Sequence, residues 1–447
     1  MMTTEKEALK QLTARLKEQG FAGIRFYMEQ TEHFSVGVFE GKQERSVQAR
    51  ESIYFVEAGK DGKRCCTYFN TLDDLDEVAE QLTLSAMASQ EDYTPIPAFK
   101  EETEYTTPFC QADEREIANL LCRAEQAARE EKKIACVDGC SFSQTLREVT
   151  LMDENGTCMK DSGESMSVNV SVVSREDGDT EIAWGTRSAA KVEDLQAVSL
   201  AKEVAQMGAQ RLHASPIASG KYPVILKNDA AAELLEAYLP IFFASEIQNE
   251  MSRLAGKLGE QIAVEDLDLL EDPNLPQGRV HRHFDDEGVA VSRKYLIHKG
   301  KLESVLYNRK TAQKDNTVSS GNGFKAEVTS SVGTGVTNVV LQSASGVQYS
   351  MEQLCEKMEN GLIVTGLEGV FAGANSITGS FSLLCKGLMV ENGKVKKPFC
   401  EVTVAGSIYD LMQGIIAFGD DPAPTAAGSA FVQTPSILLK DLAVSGL

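Results

Sequence analysis

Leu9, Leu12 and Leu16 recur among lysines and glutamates at the spacing of a helix with one buried stripe, and Gly20 closes it. The period then shortens. Residues 24–30, 33–39 and 52–58 read as strands, broken by the turn-like strings Glu40-Gly41-Lys42 and Lys60-Asp61-Gly62-Lys63. Thr71-Leu72-Asp73-Asp74 starts a second helix reaching about residue 84, and 101–107 reads as a linker. A charged helix over 112–132 carries Ile117, Leu120, Leu121 and Ala124 inward. Strands return at 135–148, 149–153, 166–175 and 181–187, with Asn155-Gly156 as a hairpin turn, and a helix spans 192–213.

The small, proline-containing stretch 213–220 marks a boundary. Beyond it a short strand at 224–226 feeds a helix over 228–239, in which Ala231, Leu234, Leu235, Tyr238 and Leu239 form one apolar face. Asn228 or Asp229 caps its start, and Pro240 ends it. Glu236 sits inside this otherwise apolar helix. Strand pairs turn at 299–301 and 392–394, helices are expected at 350–360 and 408–418, and 319–323 and 373–376 read as surface loops. The fold class is α+β: an N-terminal antiparallel sheet-and-helix region, then a β-rich C-terminal domain. The expected division is 1–108, 109–220 and 221–447.

A length of 447 residues calls for more than one core. The net charge of −22 argues against nucleic acid and anionic membrane surfaces as partners. The N-terminus lacks a basic-then-apolar signal, and the longest apolar run, 238–244, is far below the ~20 residues that cross a bilayer. A cytoplasmic protein is expected. Ten cysteines contain no CxxC pair, which favours reduced thiols over a metal or disulfide framework.

Several strings, in order, resemble the TldD/PmbA family, proteins once called modulators of DNA gyrase. They are Leu254-Ala-Gly-Lys-Leu-Gly-Glu260, Asp285-Asp-Glu-Gly288, Leu302-Glu-Ser-Val-Leu-Tyr-Asn-Arg309, Gly387-Leu-Met-Val-Glu-Asn-Gly-Lys394, Val402-Thr-Val-Ala-Gly-Ser-Ile-Tyr-Asp410 and Thr434-Pro-Ser-Ile-Leu-Leu-Lys-Asp-Leu442. In that family, TldD-like chains carry HExxxH on a helix and a later cysteine as zinc ligands. TldE-like (PmbA) chains lack the motif and pair with a TldD-like chain. Counted back from Glu260, the motif falls on Leu235, Glu236 and Pro240. Leucine and proline offer no ligand atom, and no cysteine follows Cys400. The resemblance therefore implies a degenerate zinc site, with no catalytic residue, no metal and no cofactor in this chain.

His281-Arg-His283 with Asp285 and Asp286 is the other arrangement with ligand chemistry; on a strand, HxH reads more simply as polar surface. Asn322 and Gly323, in a glycine-rich string without the lysine of a P-loop, are peptide-contact candidates by the same resemblance. Two functions are compatible with these residues. One is a non-catalytic subunit partnering a TldD-like zinc peptidase on unfolded or extended peptides. The other is a stand-alone homodimeric peptide-binding or scaffold protein; a homodimer in isolation suits either.

Overall fold

The computed structural model describes residues 3–106, 109–425 and 430–447. Helix α1 (Thr3–Glu18) leads into three antiparallel strands, β1 (Ala22–Phe39), β2 (Lys42–Lys60) and β3 (Lys63–Phe69). The two segments expected at 24–30 and 33–39 are one strand. Its middle, Glu29 to His33, is half-exposed on both faces, which removes the apolar alternation without breaking the ladder. Helix α2 (Leu75–Ala88) starts where expected, with the Asp74 carboxylate accepting from Glu77 N at 3.0 Å. Part of the expected linker is β4 (Thr103–Tyr105), which pairs in parallel with a later strand; its last position, 107, lies outside the described residues.

Helix α3 (Glu114–Ala128) is capped by Asp113 and followed by β5 (Ile134–Asp153), β6 (Cys158–Glu176) and β7 (Asp179–Ala189), then α4 (Ala197–Arg211). All seven strands form one sheet, in the order β3-β2-β1-β5-β6-β4, with β7 also on β6. The β1–β5 ladder runs continuously from Arg25 to Val38. Two apolar clusters share this sheet. Leu9, Leu12 and Leu16 of α1 pack with Phe26 and Val56, while Ile117 and Leu121 of α3 pack with Phe142, Val170 and the α4 face.

The C-terminal part opens with β8 (Gly220–Leu226) and α5 (Asn228–Tyr238), then α6 (Ala244–Gln248), β9 (Leu267–Glu271), β10 (Lys294–His298) and β11 (Lys301–Leu302). Next come α7 (Arg309–Lys314), the hairpin β12 (Gly323–Lys325) and β13 (Val332–Thr334), β14 (Asn338–Ser343), and α8 (Met351–Met358). The chain continues through β15 (Gly361–Glu368), α9 (Val370–Gly373), β16 (Ser380–Glu391), β17 (Lys394–Ser407) and α10 (Ile408–Gln413). It ends with β18 (Ile415–Phe418), β19 (Ala423–Pro424), β20 (Phe431–Thr434) and β21 (Ile437–Ser445).

These strands make two six-stranded sheets, β11-β10-β9-β14-β20-β19 and β17-β16-β15-β8-β21-β18; β17 also pairs β21, so five strands of the second close on themselves. The main core lies between the two sheets, with α5 in its centre: Leu234, Leu235 and Tyr238 pack with Leu269, Val339, Leu362 and Phe418. The helix expected over 408–418 is corrected. It stops at Gln413, and after Gly414 the residues Ile415 to Phe418 pair with β21, with Ile415 buried and Ile416 exposed. That alternation belongs to a strand.

Candidate functional site

Helix α5 was expected to start at Asn228 or Asp229, and the structure places the cap position one residue earlier, at Lys227. Both side chains still satisfy first-turn donors: Asn228 Oδ1 accepts from Asp229 N at 2.8 Å, and Asp229 Oδ1 from Ala230 N at 3.0 Å. Asn228 Nδ2 also donates to Asp421 O at 2.7 Å, tying the helix start to the segment before β19. The helix ends at Tyr238, whose hydroxyl donates to Ser380 O at 2.6 Å. Pro240 belongs to a separate 3-10 turn, 239–242.

Leu235 is buried in the core between the sheets. Glu236 is buried too, 5 % exposed, and its Oε1 accepts from Ala430 N at 2.9 Å. The same peptide unit region is held from the other side, because Arg279 Nη2 donates to Ala430 O at 2.7 Å and to Thr425 Oγ1 at 3.3 Å. A carboxylate and a guanidinium thus clamp the entry to β20. Glu236 is a backbone acceptor here, which gives a buried carboxylate in an apolar helix a structural reason to be present.

Next to this helix, a cleft of about 720 Å³ separates α5 from the β7–α4 unit. Ile182, Trp184, Met207 and Leu367 form its apolar wall; Arg211, Lys227 and Lys386 supply positive charge, and Asp229, Glu233 and Glu368 negative charge. Burial first, then the neighbouring Asp229 and Glu236, pushes the Glu233 carboxyl up to about 7. Burial lowers the Arg211 pKa, and its Nε faces no hydrogen-bond partner although its Nη2 donates to Thr365 O at 2.7 Å. Consecutive residues Trp184 to Ser188 line the cleft, as an exposed strand edge does and a strand face does not. Among the described residues β7 is paired only on its β6 side. Sequence reading missed Glu233, three residues before Glu236 and therefore on the same helix face. It also passed over Trp184, the single tryptophan of the chain.

The remaining candidates lie elsewhere. Asn322 is fully buried; its amide donates to both oxygens of Glu271 at 3.0 and 2.9 Å and to Gly335 O, and its carbonyl accepts from Lys294 Nζ at 2.9 Å. Gly323 is buried, donates to Asp285 Oδ2 at 2.8 Å, and a Cβ there would collide with the Glu287 carboxylate. The string 319–323 is therefore a packed, hydrogen-bonded connection and not a surface loop, and it leaves both residues no surface for a peptide. His283 stacks on Tyr105 at 4.1 Å, and its Nδ1 lies 3.0 Å from Asp161 Oδ1. The neighbouring Asp286 is engaged by Arg282 Nη2 at 2.7 Å, and Asp285 accepts from Glu287 N and Val289 N. The Asp-Asp-Glu-Gly string is thus a hydrogen-bonded turn, and His281 and His283 lie in no strand.

Comparison with known proteins places these features. The model of the PmbA/TldA metallopeptidase C-terminal domain matches residues 219–446, and that of the corresponding central domain matches 107–212. The chain belongs to the PmbA/TldD family. Metalloprotease PmbA of Escherichia coli O157:H7 is 28% identical over 333 residues, 74% of this chain and 70% of that protein. The PmbA homolog of Haemophilus influenzae is 25% identical over 336 residues, 75% of this chain and 70% of its own length. A Thermotoga maritima structure described as a modulator of DNA gyrase superposes with a TM-score of 0.84 at 26% identity, covering 98% of this chain and 99% of that one. TldE from Thermococcus kodakarensis shares the fold, with a TM-score of 0.85 at 21% identity over 98% of this chain and 100% of that one.

Membership of a metallopeptidase family raises the question of a metal, and the donor set answers it. In this PmbA/TldD-family chain, the positions named by the resemblance hold an isobutyl group, a pyrrolidine and a carboxylate already bonded to a backbone N–H. Among the described residues no group of three His, Cys, Asp or Glu side chains is arranged to hold an ion. A zinc site needs three such donors around one open position, so the described residues at these positions do not fit one.

Proposed function

We propose that this chain is a non-catalytic, TldE/PmbA-like subunit that works with a TldD-like zinc peptidase subunit on unfolded or extended peptides. What supports the reading is the α5 region: the resemblance puts Leu235 and Pro240 at the ligand positions, neither side chain offers a ligand atom, and Glu236 serves the backbone of Ala430. A chain of this architecture without metal chemistry contributes binding surface. The edge of β7 beside the cleft, unpaired among the described residues, supports that role, because an extended peptide can add to such an edge through main-chain hydrogen bonds. Ile182 and Trp184 would receive its apolar side chains, and the acidic residues of α5 its basic ones.

The test is metal analysis and a peptidase assay of the chain alone and with the TldD-like subunit from the same source. No stoichiometric zinc and no cleavage are expected from the chain alone, with cleavage by the pair exceeding that of the TldD-like subunit alone. Zinc together with proteolysis by the isolated chain overturns the reading. Peptide binding in a genome that encodes no TldD-like chain selects the stand-alone homodimeric scaffold instead.

A further inference from the structure

A second cavity, of about 190 Å³, shares no lining residue with the first and lies where the N-terminal sheet meets the C-terminal part. Its floor is a two-by-two patch on β1 and β2, since Arg25 is in register with Glu57 and Tyr27 with Phe55. Arg309, at the start of α7, and Lys325, on β12, close it from the other side. Its lining holds five cationic and five carboxyl side chains, but the ion pairs among them are unevenly placed. Glu57 and Glu91 are engaged by Arg64 at 2.5 and 3.2 Å, Lys310 takes Glu91 at 2.9 Å, and Asp286 takes Arg282. That leaves Arg25, Arg309 and Lys325 without a side-chain ion pair among the described residues, although Glu57, Asp286 and Glu287 lie close enough to act on them through space.

Arg25, only 7 % exposed, donates solely to main-chain carbonyls, Pro97 O at 2.7 Å and Glu287 O at 3.1 Å. Arg309 Nη2 converges on that same Glu287 oxygen at 3.4 Å while its main-chain N donates to Glu287 Oε2 at 2.7 Å, and its buried Nε has no hydrogen-bond partner among the described residues. Lys325 Nζ sits 3.2 Å from the Phe55 ring centroid and donates to Ser330 O. Burial pulls the lysine down to about 8 and the Arg25 guanidinium to about 10, the latter helped by its neighbour Arg309. Glu287, which could offset them, is pushed up to about 7 by burial and then by Asp285. Two guanidiniums sharing one carbonyl, beside a lysine on an aromatic face, is a costly arrangement for structure alone, because buried cations not in direct contact with a counter-charge are destabilising.

We propose that this cavity binds a small organic anion, a carboxylate or phosphate on an apolar body. Arg25, Arg309 and Lys325 bind the anionic oxygens, and Phe55, Ile96 and Val332 contact the body. Its volume exceeds the ~150 Å³ of an apolar cavity that takes a benzene ring, so a ring-sized group fits. The proposal is independent of the peptide cleft.

Calorimetric titration of the full chain with benzoate, phenyl phosphate and neutral benzamide tests it. At least one anion is expected to saturate, with benzamide about tenfold weaker or more, the scale of a lost charge-assisted contact. Lys325→Met and Arg309→Gln should each weaken the anion about tenfold or more, while the melting temperature of the ligand-free variant stays level or rises. A purely structural lysine would instead lower it. Glu233→Gln, in the other cleft, should leave anion binding unchanged. A short peptide acid and its amide form a further arm: preference for the acid assigns the site to a peptide C-terminus, and binding of the small anions alone assigns it to a free metabolite. Equal binding of benzamide and benzoate, no saturation by any anion at millimolar concentration, or unchanged affinity in both variants overturns the proposal, with or without a peptidase partner.

Discussion

Glu236 and Glu233 occupy the same helix, one turn apart, and physical chemistry gives them different tasks. Glu236 accepts a hydrogen bond from Ala430 N, so Glu236→Ala would leave a partly buried donor without this acceptor and cost about 1–3 kcal/mol. Glu236→Gln keeps an acceptor oxygen and should cost clearly less; urea unfolding of both variants measures the difference. Glu233 has no such bond, and burial raises its carboxyl from the ordinary 4.5 to about 7. Between those values the folded chain holds a proton that the unfolded chain has released, so stability falls as pH rises through that window and levels above it. Glu233→Gln removes this share of the slope. Its melting temperature should therefore gain more over the wild type at pH 8 than at pH 4.5, and equal gains at both would contradict the assignment.

Helix α5 shows what can be read from a sequence and what cannot. Its buried face was legible in the spacing of Ala231, Leu234, Leu235 and Tyr238, and Pro240 marked its end within two residues. The hairpins at Asn155-Gly156 and Asn392-Gly393 were equally plain, since a tight turn needs residues that accept positive φ. The long strand β1 and the strand β18 were not. One is half-exposed in its middle, and the other follows a helical turn after a single glycine, so a local pattern carries too little to separate helix from strand. At this scale Leu235→His is informative: an imidazole in the apolar space between α5 and the two sheets should cost about 2–4 kcal/mol. Metal analysis of that variant should find no zinc, because Pro240 still supplies no donor.

At the scale of the whole molecule, the N-terminal sheet of seven strands runs across the division expected at residue 108. Every β1 residue from Arg25 to Val38 pairs with β5, so the first 108 residues lack half the partners of their central strand. A fragment of residues 1–108 should be unfolded by circular dichroism and amide exchange, while 1–212 should fold; a folded 1–108 fragment would show that the first apolar cluster suffices. The anion cavity belongs to this scale too. Arg25 and Arg309 are 284 positions apart in the chain, and only the docking of the sheet onto the C-terminal part brings them to one oxygen. No spacing rule reaches that far, which is why its residues gave no signal in the sequence, whereas the motif on α5 lay within six consecutive positions.

Trp184 gives the cleft a consequence of a different kind. It is the single tryptophan in 447 residues, it is 47 % exposed, and it stands on the edge strand that faces α5. The indole emission of the entire chain therefore originates at one place. A peptide laid along β7 would withdraw that ring from water and shift its spectrum to the blue, whereas an anion in the other cavity, which Trp184 does not line, would leave it unchanged. The protein carries its own optical label, positioned to tell its two pockets apart.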